Sequence, residues 1–460
     1  MEPWLRAALG YIPGYLEHQM RLSEQPGCAI AIAHKGKLVL EQAFGHADLE
    51  LGIALTPRHR FRVASHSKSF TAAGVLKLRE QKRLTLDDPV GTHVRELHPH
   101  VAAITLGQLL SHAGGLVRDG ADAGQWSNRR PFLNEAELRA DLSAGPVIDP
   151  NSRFKYSNHG YGLVGLAMQA ITGEPYADWI AREIVAASGL HETTPDGPVK
   201  TVPMLSARGH SAKLPLGRRV VIPAESSTHA LAPATGFVST AGDLARFFAS
   251  LQPCAKRSVL SVASRREMNR RQWKDEHSSL VRWYGLGTIC GTLVDWDWCG
   301  HSGGYPGVIT RTVSVPAHGL TVSVLTNAAD GLSHGWLDGV LHILRTHATR
   351  GAPSRKAAAW GGRWWSLWGA MDLVPVDGRV LVANPALLNP MQDASEIEVA
   401  GKRDRASHGR IVLAGGYMSH GEPARLVLDA RGKPSQFWLG GTCCLPEHKV
   451  AKELARARSI

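Results

Sequence analysis

The chain is poor in the residues that staple small folds. It has only six cysteines in 460 residues, at positions 28, 254, 290, 299, 443 and 444, too few for a disulfide framework. Cys443 and Cys444 are adjacent and cannot bond to each other without strain, so all six are expected as buried thiols. There is no Cys-x-x-Cys, no His-Glu-x-x-His and no Cys/His spacing of a zinc site, so neither a metal nor another cofactor is expected. Long apolar runs are missing too. The longest, Gly160 to Ile171, is interrupted by Gln169 and is too short to cross a bilayer. The N-terminus, Met1-Glu2-Pro3-Trp4-Leu5-Arg6, carries an acid where a signal peptide carries base, and no apolar core with a cleavage site follows. The expected compartment is the cytoplasm, or the periplasm if a leader has been removed.

Acidic residues are in deficit: 40 Asp and Glu stand against 52 Lys and Arg, a net charge of +12. Arg265, Arg266, Arg270, Arg271 and Lys274 cluster on one predicted helix. No nucleic-acid motif accompanies them, so they read as a solvated face rather than a specific nucleic-acid surface. What is present suffices for a folded protein: 43% hydrophobic and 20% charged residues allow two or three ordered domains.

Turn chemistry organises the chain. Cys28 to Ala33 and Leu38 to Ala43 flank His34-Lys35-Gly36-Lys37 as a hairpin, and 307–315 and 320–325 form a second pair around Pro316-Ala317-His318-Gly319. Four strands from distant parts of the chain can make one antiparallel sheet. Between them lie helical stretches, among them 68–81, 106–111, 160–172, 176–187 and 241–251, so the pattern is a sheet with a large helical insertion and not βαβ alternation. A catalytic domain is expected over 1–348 and a linker over 349–359, where small residues, Pro and basic residues break the apolar pattern. Short runs at 378–383, 410–414, 424–428 and 436–439 point to a small antiparallel barrel or sandwich over 360–460.

Three segments can carry chemistry. Ser65-x-x-Lys68 opens a predicted helix, so the lysine amine can reach the serine hydroxyl on the same face and take its proton, provided its pKa is lowered. Alone, the pair reads equally as an N-capping serine and a surface lysine. Tyr156-x-Asn158 lies between a turn and an apolar helix. Tyr156 can shuttle a proton and Asn158 can fix Lys68 and bind an amide oxygen, or the two can be a half-buried aromatic and a helix cap. Gly300-His301-Ser302-Gly303-Gly304 is a glycine-rich approach to the strand pair, where backbone can come close to a ligand and an N–H can join that of Ser65 as an oxyanion hole; taken alone it is an ordinary loop.

Taken together and in this order, the three segments resemble the serine β-lactamase and penicillin-binding-protein superfamily. The branch resembled contains class C β-lactamases, D-alanyl-D-alanine carboxypeptidases, D-aminopeptidases and related esterases. The resemblance covers roughly residues 20 to 335 and is supported by the 84–89, 104–116, 236–244 and 284–287 segments. It implies an α+β fold, an antiparallel sheet flanked by helices beside an all-helical subdomain. It also implies Ser65 as acylated nucleophile, Lys68 and Tyr156 as proton relay, Asn158 as binder of the substrate amide, and His301 and Gly303 along the opposite wall. The N–H groups of Ser65 and Gly304 would stabilise the oxyanion.

One departure is informative. Penicillin-hydrolysing relatives usually have a lysine where His301 stands, a fixed cation for the substrate carboxylate, and a histidine is mostly neutral at pH 7. Members with histidine here resemble D-aminopeptidases and esterases. The C-terminal segment, with Trp364-Trp365 and Trp368-Gly369 near its start and Phe437-Trp438-Leu439-Gly440-Gly441 near its end, is similar to the lipocalin-like barrels some of those peptidases carry. The expected activity is acyl-enzyme hydrolysis of a small amide, D-amino-acid peptide or ester. A β-lactamase or carboxypeptidase and a non-catalytic peptide-binding relative are the alternatives. The partner is a small molecule or short peptide; oligomeric state is not encoded in any motif. The polar 117–130 stretch is a candidate lid, or an ordinary surface loop, and Asp119 or Asp122 a candidate for a substrate ammonium.

Overall fold

In the computed structural model, Lys35 and Gly36 both adopt left-handed backbone, with φ of +51° and +79°, the conformation that a two-residue hairpin turn requires. They join β1 (Gly27–His34) to β2 (Lys37–Asp48), with His34 opposite Lys37 and Ala29 opposite Ala43. The structure describes residues 1–197, 205–223, 227–416 and 419–457. They divide into two compact units, Gln25–His334, and Met1–Glu24 with Gly335–Ile460.

The first unit is built on a nine-stranded antiparallel sheet. The remaining strands of the unit are β3 (Ile53–Ala54), β4 (Phe61–Arg62), β5 (Val238–Ser239), β6 (Trp273–Lys274), β7 (Trp283–Tyr284), β8 (Ile289–Leu293), β9 (Trp296–Tyr305), β10 (Val308–Val315) and β11 (Leu320–Thr326). The order is β3-β2-β1-β11-β10-β9-β8-β7-β6, and β4 and β5 form a separate pair. The two hairpins read from turn chemistry are therefore neighbours in one sheet, β1 pairing with β11 and Ile30 lying opposite Val324. The glycine-rich 296–305 stretch, expected as a loop, is a strand: Gly303 pairs with Thr310 and Gly304 with Ile309. Glycine has low strand propensity, but here register with β10 and a close backbone approach decide the conformation.

Helix Ala241–Ser250 packs on this sheet. Thr240 caps it, accepting from the Asp243 N–H at 3.2 Å, and Leu244, Phe247 and Phe248 on its apolar stripe share a core with Ala29, Ala31 and Ala33 of β1. Phe70, on helix Ser67–Glu80, stacks between Phe237 and Phe247 at centroid distances of 4.3 and 3.9 Å. The insertion supplies helices Leu106–Leu110, Glu135–Leu142 and Asn158–Thr172; a predicted 176–187 helix begins as Tyr176–Ile180 and continues as a π-helical turn.

The second unit contains helices Pro3–Ser23 and Glu447–Ala457, residues 335–350 of helix Ser333–Arg350, and an eight-stranded antiparallel sheet over 362–444. The sheet is nearly closed. Trp365, on its first strand, and Leu445, just past its last, exchange two backbone hydrogen bonds of 2.8 Å, which removes most of the exposed edge. Trp360, Trp364, Leu373, Ile397 and Phe437 fill the interior. Gln19 ties the first helix to this unit, donating to the Pro385 carbonyl at 2.7 Å and accepting from the Trp336 indole at 3.1 Å. Within 349–359, residues 355–358 form a short helix that buries Ala357.

Two expectations from composition are corrected. Cys254 is exposed, whereas Cys28, Cys290 and Cys444 are buried. The basic 265–274 cluster is not one solvated helical face: the helix ends at Met268 and Arg265 is buried. Its guanidinium donates to the carbonyls of Gln252 and Ala255 at 2.6 and 3.0 Å, so its buried N–H groups are satisfied by backbone acceptors. Among the described residues, no helix is long and apolar enough to cross a membrane. Phe437 is fully buried, so Phe437→Ala is expected to destabilise the second unit by about 3–5 kcal/mol, read as a lower denaturant midpoint.

Candidate active site

Ser65 sits in a tight turn, Ala64–His66, that leads directly into helix Ser67–Glu80. Ala64 has φ +47°, a left-handed conformation that alanine adopts only under constraint. His66 provides part of that constraint. It is fully buried, with Nδ1 3.0 Å from the Val63 carbonyl and Nε2 3.0 Å from Thr312 Oγ1, and burial pushes its pKa down to about 3. A neutral ring donating from Nδ1 and accepting at Nε2 satisfies both contacts. The other side of the turn is held by β9: a Cβ on Gly303 would lie 2.2 Å from the Val63 carbonyl oxygen, so only glycine lets the strand come this close.

Lys68 is completely buried one helical turn after Ser65. Its Nζ lies 2.7 Å from Asn158 Oδ1, 2.8 Å from the Ala234 carbonyl and 3.1 Å from Ser65 Oγ. Burial lowers its pKa well below the ordinary 10.5; Asp119 raises it in part and Arg118 lowers it further. An uncharged amine has two N–H donors and one lone pair. Two carbonyl-type acceptors take the donors, and the remaining direction faces the Ser65 hydroxyl. The Tyr156 hydroxyl donates to Ser65 Oγ at 2.8 Å. Burial raises its pKa, which keeps it a proton donor at neutral pH.

Asn158 is oriented from behind. Its Nδ2 donates to Asp119 Oδ1 at 2.6 Å, and the same oxygen accepts from Trp126 Nε1 at 3.0 Å. A carboxylate can only accept, so Asp119 forces the amide nitrogen toward itself and the amide oxygen toward Lys68. Asp119 is buried and also pairs with Arg118 at 3.3 Å. The 117–130 loop thus supplies a carboxylate beneath the site. Asp122 lies outside it, exposed and 3.7 Å from Arg130.

A cleft of about 650 Å³ opens over these groups. Ser65, Tyr156, His301, Ser302 and Gly304 line it, whereas Lys68, Asn158 and Gly303 lie behind its surface. His301 is buried and its pKa is held well below 6.5, first by burial and then by His66 and Lys68. Its Nδ1 lies 2.7 Å from the Ser302 carbonyl and accepts from the Ser302 N–H at 3.0 Å, and its Nε2 is 2.9 Å from the Tyr284 hydroxyl. Beyond Gly300, β9 pairs with β10 and has no ladder partner on its other side among the described residues.

His112 belongs to the site and was not singled out from the sequence. Its ring packs at a tilt against Tyr156 and Tyr284, with centroids 4.1 and 4.6 Å away, and its Nδ1 accepts from the Ser157 N–H at 3.1 Å. The signal was there in Leu109-Leu110-Ser111-His112, a histidine at the end of an apolar helix. Among the described residues, no group of three or more His, Cys, Asp or Glu side chains is placed to hold a metal ion.

The Beta-lactamase family profile matches residues 14–338, well over half of the sequence. The chain belongs to the beta-lactamase family. It is thus a member of a family of serine hydrolases. It is 30% identical over 187 residues to Protein flp of Staphylococcus aureus strain MW2, a match covering 39% of this chain and 36% of that protein, so it spans about a third of the length of that relative. Among solved structures, the octameric penicillin-binding protein homologue from Pyrococcus abyssi superposes with a TM-score of 0.66 at 21% identity, over 95% of this chain and 99% of that one. A D-stereospecific amidohydrolase from Streptomyces sp. superposes with a TM-score of 0.58 at 25% identity, over 70% of this chain and 94% of that one.

The buried amine of this family member has a measurable consequence. Unfolding returns Lys68 to water, where it binds a proton the folded state refuses, so its contribution makes stability rise with pH between its lowered folded value and the ordinary 10.5. Lys68→Met is expected to flatten that part of the stability profile and to be at least as stable as the parent at pH 7, measured by denaturant titration across pH.

Proposed function

We propose that the protein hydrolyses small amides, D-amino-acid peptides or esters through an acyl-enzyme on Ser65. The observation that carries this reading is the environment of Lys68 Nζ, which lies 3.1 Å from Ser65 Oγ while its two other contacts are carbonyl-type acceptors, so that an uncharged amine would turn its lone pair to the hydroxyl. As Oγ attacks the substrate carbonyl, its proton passes to Lys68, and the N–H groups of Ser65 and Gly304 stabilise the developing oxyanion. Tyr156, donating to Oγ at 2.8 Å, stabilises the alkoxide and afterwards supplies the proton that the departing amine or alcohol needs. Lys68 then restores the Tyr156 proton, and water attacks the ester by the reverse route. Asn158 and Asp119 act as positioning residues for Lys68. The similarity to a D-stereospecific amidohydrolase at 25% identity supports an amide of a D-amino acid as the first substrate to try.

Intact mass after mixing with a D-amino-acid amide or an activated ester is expected to show one acyl adduct that disappears in Ser65→Ala. An adduct surviving that substitution overturns the reading, and nitrocefin turnover exceeding that of D-amides favours a β-lactamase instead. The acylation rate constant is expected to rise with pH as Lys68 loses its proton, with an inflection well below 10.5. Asp119 raises the pKa of Lys68 and Arg118 lowers it, so Asp119→Asn shifts the inflection to lower pH and Arg118→Gln shifts it to higher pH.

A further inference from the structure

The rim of the cleft is more strongly charged than its floor. Arg118, Arg153, Lys155 and Arg282 all line it, against a single acid, Asp275. Arg118 is partly engaged by Asp119, and its guanidinium lies 5.6 Å from the centre of the Tyr156 ring. Arg282 reaches Asp275 only at 3.7 Å, beyond hydrogen-bond distance. Arg153 and Lys155 have no ionic partner among the described residues.

Several arginines elsewhere on this unit are closely paired. Arg139 pairs with Glu135 at 2.8 Å, Arg182 with Glu174 at 2.7 Å and Arg271 with Asp297 at 2.8 Å. Along the cleft itself four cations face one acid. Cations of one sign in a concave, partly desolvated site focus their field on whatever enters it, and guanidinium groups bind carboxylates with two parallel hydrogen bonds. His301 supplies no charge, being neutral and buried. The charge comes from the segment beside Tyr156 and from the β6–β7 hairpin that carries Arg282.

We infer that the substrate of this site carries a carboxylate or comparable anionic group away from the scissile bond, held by Arg153, Lys155 and Arg282. This rests on the acyl-enzyme reading above and adds a charge requirement to it.

Boronic acids test the two separately, because they add reversibly to a nucleophilic serine whatever the natural substrate. Inhibition constants are measured for phenylboronic acid and for its 3-carboxy and 4-carboxy derivatives, using competition with an activated-ester label on Ser65. At low salt at least one carboxylated derivative is expected to bind about tenfold more tightly than the parent, and the ratio should shrink as ionic strength rises. In Arg153→Gln/Arg282→Gln the ratio is expected to fall toward unity. The ratio within each protein is the readout, so a general loss of affinity does not mimic the effect. Equal binding of all three compounds, a ratio insensitive to salt, or a ratio that survives the double substitution overturns the charge requirement while leaving the acyl-enzyme intact. Failure of every boronic acid to protect Ser65 overturns the catalytic reading itself.

Discussion

A lysine amine taken wholly out of water must either meet an anion or give up its proton. Lys68 has no carboxylate in contact; its partners are the carboxamide oxygen of Asn158, the Ala234 carbonyl and the Ser65 hydroxyl. All three contacts suit an uncharged amine. The geometry around it follows from that requirement. Asn158 must present oxygen and not nitrogen, which is why a buried Asp119 stands behind it, and Ala234 must turn its carbonyl inward. The helix must begin immediately after the serine, so that residues 65 and 68 share a face, and the strained Ala64 backbone and the neutral His66 hold that start in place. The site is a chain of constraints, each set by the burial of one nitrogen.

Much of this was legible in the sequence, and the rest was hidden for identifiable reasons. The first hairpin could be read because Gly36 favours the left-handed backbone of a tight turn between two apolar runs, although Lys35, which shares that conformation, does not announce it by residue type. That the two apolar hairpins can share one sheet followed from their need to bury a common face; which strands meet, β1 and β11, is set by the tertiary packing. The grouping of Ser65, Lys68, Tyr156 and Asn158 came from motif order, because periodicity alone cannot bring residues 90 apart together. Strand β9 was missed since its glycines lower local propensity; the reason for them, contact with the Val63 carbonyl, is tertiary. Asp119 looked like an acid on an open loop, and nothing local says that Trp126 and Asn158 turn it inward. The division of the chain, in which residues 1–24 group with 335–460, depends on contacts between the two ends that leave no mark on composition.

Charge is distributed in two layers. Next to Ser65 burial disfavours the charged forms: Lys68, His66 and His301 all have lowered pKa values and Tyr156 a raised one. At the mouth of the same cleft stand four basic side chains, Arg118, Arg153, Lys155 and Arg282, against the single acid Asp275. Proton transfer benefits from groups that interconvert between neutral forms at little cost, whereas capture of a ligand benefits from fixed charge at longer range. The two layers stay coupled: Arg118 at the rim lowers the pKa of both Lys68 and Tyr156, so a change at the mouth is felt at the centre.

Strand β9 runs on past the end of its β8 partner, leaving one flank of His301–Tyr305 without a ladder. Such a flank can receive an extended guest, but it equally invites a stray chain or a second copy of itself. Its shortness and its place inside a cleft limit that hazard. Any redesign that widens the cleft by trimming the β6–β7 hairpin would add a second bare edge beside it, that of β8, which now pairs with β7.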